Sequence, residues 1–158
     1  MASAAPVLIA FDGSGAARRA VGAAAELFGS RPVLVITVWE PDLAYAAAAM
    51  PTAGMEMQPT PFDIGEAHEL EQSFEAEARR TAEDGAELAR SAGVDAEALA
   101  VVGGAHPADA IVEVAGERRV AAIVVGSRGL SGLRARLEGS TSSRVVREAP
   151  CPVLIVHD

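Results

Sequence analysis

The stretch VAAIVVGSRG, Val120 to Gly129, decides how this chain is read, together with EGSTSSRVV, Glu138 to Val146, which follows shortly after. The apolar run Val120 to Val125 has the composition of a strand buried on both faces. Gly126 and Gly129 stand where such a strand hands over to a turn, and Gly139-Ser140 follows after nine further residues. Glycine lets main-chain N–H groups approach an oxyanion with no Cβ in the way. A helix starting at Ser140 adds its unsatisfied amides and the positive end of its dipole. The constellation reads as an anion cradle, with nucleotide phosphate as the natural occupant. The plainer alternative, glycines serving only as turn punctuation, stays open in a chain that has 15 of them.

The same alternation of strand and helix extends in both directions. Pro6 to Asp12 is a buried strand closed by the turn Asp12-Gly13-Ser14, and Ala17, Ala20, Val21, Ala24, Leu27 and Phe28 recur at helical spacing up to a stop at Gly29. Pro32 to Trp39 is a second strand, rich in β-branched residues. From Glu40 to Ile64 no period survives, which predicts a mobile loop or lid, with Ala44 to Met50 briefly helical. A long helix follows from Ala67 through Leu88 and ends near Gly93. Its glutamate-rich outer face is solvated. Leu99 to Val102 is a third strand, and Pro107 opens a helix through Ile111 and Val114. Val120 to Val125 is the fourth strand, Ser140 to Ala149 the last helix, and Val153 to Val156 the fifth strand. This pattern builds an α/β domain, a parallel sheet with helices on both faces. Ligands of such sheets bind at the carboxyl ends of strands where the strand order reverses, and strands one and four are the expected neighbours there.

With 158 residues, half of them apolar, residues 1–158 are expected to form one domain. A net charge of −9 argues against nucleic-acid and anionic-membrane partners. Every basic residue is arginine, so a P-loop lysine and Schiff-base chemistry are excluded. Apolar runs are too short to span a bilayer, and the amino terminus lacks a secretion signal, so a cytoplasmic location is expected. His68, His106 and His157 have no ligand spacing, so side chains alone predict no metal site, although Asp12 is a candidate for a metal or ribose contact. Cys151 reads as a packing residue, and no nucleophile-elbow motif marks a catalytic serine.

VLIAFDGS near the start, VVGGAHPADAIVEVA in the middle and IVVGSRGLSGLRARLEGSTSSRVVREAPCPVLIV at the end resemble the universal stress protein family over nearly the whole length. The resemblance implies a Rossmann-like five-stranded sheet in the order 3-2-1-4-5. It also implies a homodimer paired through the final strand, Val153, Leu154, Ile155 and Val156. Members with this glycine pattern bind ATP or another adenine nucleotide. By position, Ala10, Phe11 and Asp12 lie beside the nucleoside and Val38 meets adenine through its backbone. Val125, Gly126, Arg128 and Gly129 line the ribose and phosphate path, and Gly139, Ser140, Thr141 and Ser142 hold phosphate oxygens, with a divalent ion such as Mg2+ bridging them. Glu138 departs from the family pattern, which has an aliphatic residue there. Pointing inward it would repel phosphate, and facing solvent it would matter little.

Three functions remain in view. The first is a stress-response regulator that binds an adenylate such as ATP, AMP or cyclic AMP and signals to an unidentified protein partner. The second is a slow ATP hydrolase, or a nucleotidyl or phosphoryl transferase, that uses Asp12. The third is a partner-binding dimer that needs no nucleotide. No general base or attacking group is marked, so any enzymatic activity is at most a weak ATPase.

Overall fold

The computed structural model describes residues 4–41, 64–127 and 141–157. Five strands form one all-parallel sheet: β1 (Val7–Ala10), β2 (Val33–Trp39), β3 (Ala96–Val102), β4 (Ala122–Gly126) and β5 (Val153–Val156). Their order is β3-β2-β1-β4-β5. Between them the described residues form helices α1 (Gly15–Phe28), α2 (Ile64–Ser91), α3 (Pro107–Glu117) and α4 (Thr141–Glu148). Residues 42–63, most of the expected loop together with its brief helix from Ala44 to Met50, lie outside the described residues, and Ile64 already belongs to α2. No described helix is long and apolar enough to cross a membrane.

Side chains alternate across the strands with period two and so supply two cores. On one face Ile9, Phe11 and Val35 pack with Ala20 and Val21 of α1 and Ala86 of α2. On the other, Leu8, Ile36 and Ile123 pack with Ile111 and Val114 of α3 and Val145 of α4. All seven residues of β2 and all five of β4 are buried. This two-sided burial explains why these strands read as unbroken apolar runs. Each fully buried Val, Ile or Leu stabilises by about 1.5–3 kcal/mol, so these layers fix the register.

Strand boundaries differ from the sequence expectation: β1 stops at Ala10 rather than Asp12, whose side chain closes the turn that follows, and β3 and β4 begin elsewhere for local reasons. β3 begins at Ala96, three residues before Leu99, because it is an edge strand whose exposed Glu97 still pairs with Leu34. An apolar run misses a half-exposed edge. β4 begins at Ala122 because Val120 belongs to the end of α3. The Val120 N–H donates to the Ala115 carbonyl (3.1 Å) and that of Arg119 to Gly116 (3.2 Å), with Arg119 at φ 48°. This is a left-handed helix stop of the Schellman type, with arginine where glycine is usual.

Candidate functional site

Strand order reverses between β1 and β4, which lie side by side in the middle of the sheet. Their carboxyl ends open into a cleft with about 350 Å³ of empty space, part of it open to solvent. β1 contributes Ala10, and the turn after it Asp12 and Ser14. Val125 and Gly126 come from β4, Ala17 from α1, Ile111 from α3, and Thr141 and Ser142 from α4.

The turn after β1 is built by its own side chains. Asp12 Oδ1 accepts the Ser14 N–H (2.9 Å), Gly13 takes a positive φ of 79°, and Ser14 Oγ accepts the Ala17 N–H (3.1 Å). The left-handed residue is affordable because it is glycine. Ser14 thereby caps α1 and directs the positive end of that helix toward the cleft. Asp12 itself closes the turn ahead of the cap, as an Asx turn. Among the described residues its Oδ2 makes no hydrogen bond, and Asp12 is the one charged side chain of the cleft lining.

Phe11 and Val38 do not line the cleft. Alternation sends the Phe11 ring to the opposite core, where it is 1% exposed, while the Thr37 hydroxyl donates to the Phe11 carbonyl (2.7 Å). The Val38 side chain is buried beneath the loop after β3, so close that a Cβ on Gly103 would lie 2.7 Å from Val38 Cγ1. Its backbone has another aspect. The Phe11 N–H donates to Ile36 and the Gly103 N–H to Trp39. In a parallel ladder the N–H and C=O of one residue point to the same side. Those of Val38 therefore point toward β1, past its last pair, Ala10 with Ile36.

Gly126 is required by packing as well as by any ligand. A Cβ there would lie 2.8 Å from Ala16 Cβ and 2.9 Å from the Ala16 carbonyl carbon, so its absence lets the first turn of α1 sit against the end of β4. Ser142 is buried (7% exposed) in the first turn of α4, where it lines the cleft with Thr141. Arg128, Gly129, Glu138, Gly139 and Ser140 lie outside the described residues. The structure therefore brings together Ala10, Asp12, Val125, Gly126, Thr141 and Ser142 from the expected set. It adds Ser14, Ala17 and Ile111, none of which the sequence had singled out as a ligand contact. Ser14 was readable as a cap in Asp-Gly-Ser. Ile111 carries no local signal, because only the packing of α3 beside α4 brings it to the cleft.

Among the described residues no group of three or more His, Cys, Asp or Glu could hold a metal ion. Burial pushes the Cys151 thiol above its ordinary pKa, which disfavours the reactive thiolate.

A doubly wound parallel α/β domain with a cleft at its topological switch point is the class of protein these features define. Residues 5–157 match the model of the universal stress protein family, and the chain belongs to that family. It is 33% identical over 154 residues to a universal stress protein of Thermus aquaticus, named for its place in the QAH/OAS sulfhydrylase 3′ region, covering 96% of this chain and 97% of the relative. Similar solved structures include two of universal stress proteins. A universal stress protein in complex with cAMP is 28% identical, with TM-score 0.64 over 99% of this chain and 98% of that one. The Archaeoglobus fulgidus universal stress protein in complex with dAMP is 27% identical, with TM-score 0.57 over 96% and 97%.

Proposed function

We propose that this chain binds an adenine nucleotide in the cleft between β1 and β4 and acts through its occupancy. The observation that carries the reading is the convergence of Asp12, Gly126 and Ser142 on one cleft at the switch point, in a family with relatives solved with cAMP and dAMP. The α4 first turn and the glycines at 129 and 139 supply N–H groups to phosphate, with Ser140, Thr141 and Ser142 adding hydroxyls and Arg128 a charge. Asp12 Oδ2 accepts from a sugar hydroxyl. The Val38 main chain meets the base, and Ala10 and Val125 give an apolar floor. ATP or a related adenylate is the ligand, and a divalent ion such as Mg2+ arriving with it would be met from this chain by Asp12, the carboxylate among the described lining residues, and would offset phosphate charge.

Bound nucleotide alters the surface shown to a protein partner, in a cytoplasmic homodimer joined through β5. Isothermal titration with ATP, ADP, AMP and cyclic AMP tests the reading. Saturable heat with at least one is expected, with a matching rise in thermal stability. No heat and no thermal shift with any of the four overturns it.

A further inference from the structure

The cleft has two helical walls, α3 carrying Ile111 and α4 carrying Thr141 and Ser142, that come from distant parts of the sequence. One ion pair joins them at this end. Arg144 Nη2, in the first turns of α4, lies 2.9 Å from Asp109 Oδ1, in the first turn of α3. The same guanidinium turns Nε toward Glu148 Oε1 at 3.3 Å, although that nitrogen is buried and makes no well-aligned hydrogen bond. Arg144 is two-thirds buried, with 33% of its side chain exposed. Asp109 lies two residues before Ile111, and Arg144 two after Ser142, so each partner is within one helical turn of a lining residue of its wall.

From this arrangement we infer that Arg144 is a positioning residue for the nucleotide cleft: its pair with Asp109 holds the amino end of α4 at a fixed distance from α3, and so sets the cleft width. The inference rests on the nucleotide-binding reading above. Over Thr141–Glu148, α4 buries only Ser142 and Val145, so packing secures this stretch lightly. An ion pair within it therefore adds to its positioning.

The sign of the Asp109 effect separates positioning from direct attraction. If Arg144 merely attracted the anionic ligand, neutralising Asp109 would remove a competing negative charge and raise affinity. A positioning role makes both substitutions lower it. The experiment is a double-mutant cycle of Arg144→Met and Asp109→Asn, read by AMP titration and, in the ligand-free protein, by hydrogen exchange of the Val145 to Glu148 amides. In a helix those amides donate to the first-turn carbonyls.

Each single variant is expected to weaken AMP binding by roughly three- to tenfold and the double variant by no more than either alone, because the pair acts as a unit. Exchange of the α4 amides should accelerate by a similar factor in all three. Arg144→Lys, which keeps a cation near Asp109, should recover part of both losses. Unchanged or tighter AMP binding in Asp109→Asn overturns the inference, as do additive losses or unaltered α4 exchange. If the wild-type protein binds no adenylate, the nucleotide reading falls by itself, and the exchange measurement alone decides whether the pair positions α4.

Discussion

At the end of β1, Asp12 Oδ1 closes the turn by accepting the Ser14 N–H, and the proposed function gives its other oxygen to the ligand. Asp12→Asn keeps an acceptor for the turn and should hold stability within ~0.5 kcal/mol, whereas Asp12→Ala should lose about 1 kcal/mol in urea unfolding, as lost caps do. Adenylate affinity should fall about tenfold in the alanine variant, read by titration. Arg119 offers the opposite case, a residue whose conformation suits another amino acid. At φ 48° its Cβ crowds the backbone, so Arg119→Gly should stabilise by ~0.5–1 kcal/mol in thermal denaturation. Cys151 is half-buried and its thiol is pushed up by desolvation. At pH 8 iodoacetamide should modify it more slowly than a free thiol, and denaturant should abolish the difference.

Gly126 shows how an element-scale constraint passes for a motif. The sequence marks it as part of an anion cradle, but the α1–β4 contact requires a glycine there without any ligand, because a Cβ would fall within 2.9 Å of two Ala16 atoms. Gly126→Ala should therefore cost about 1–3 kcal/mol by overpacking in the ligand-free protein, measured by urea unfolding. Ala16→Gly should restore only part, since the clash with the Ala16 carbonyl carbon remains. The buried strands were legible for an equally physical reason. β1, β2 and β4 are covered on both faces, so burial writes itself into consecutive residues, and the helices show their apolar stripes. An apolar run starts late in β3 because Glu97 sits exposed on an edge strand, and Val120 looks like part of β4 because a buried helix stop is as apolar as a strand. Within the cleft, Asp12 and Gly126 were legible from local turn chemistry. Ile111 and the Asp109–Arg144 pair were not, because nothing in either segment specifies the packing of α3 on α4.

At the scale of the whole molecule, β3 and β5 are the edge strands among the described residues, and β5 is the edge through which we propose that two copies pair. The ladder fixes which main-chain groups are available for that pairing. The Ile123 N–H donates to Pro152 and that of Ser127 to Val156, so the even-numbered residues of this segment face β4. By the alternation of a parallel ladder, the N–H and C=O groups of Val153 and Ile155 then face outward. An unpaired row of this kind is a template for another strand. Proline at an outward position removes a donor to a partner while leaving the β4–β5 bonds in place, which is the setting in which sheets tolerate it. Ile155→Pro should therefore shift sedimentation from dimer to monomer with the helical circular dichroism preserved. Leu154→Pro, which attacks the inward ladder, should instead destabilise the fold. A wild-type protein that sediments as a monomer at tens of micromolar would remove the dimer, and with it any route by which cleft occupancy in one copy reaches the other.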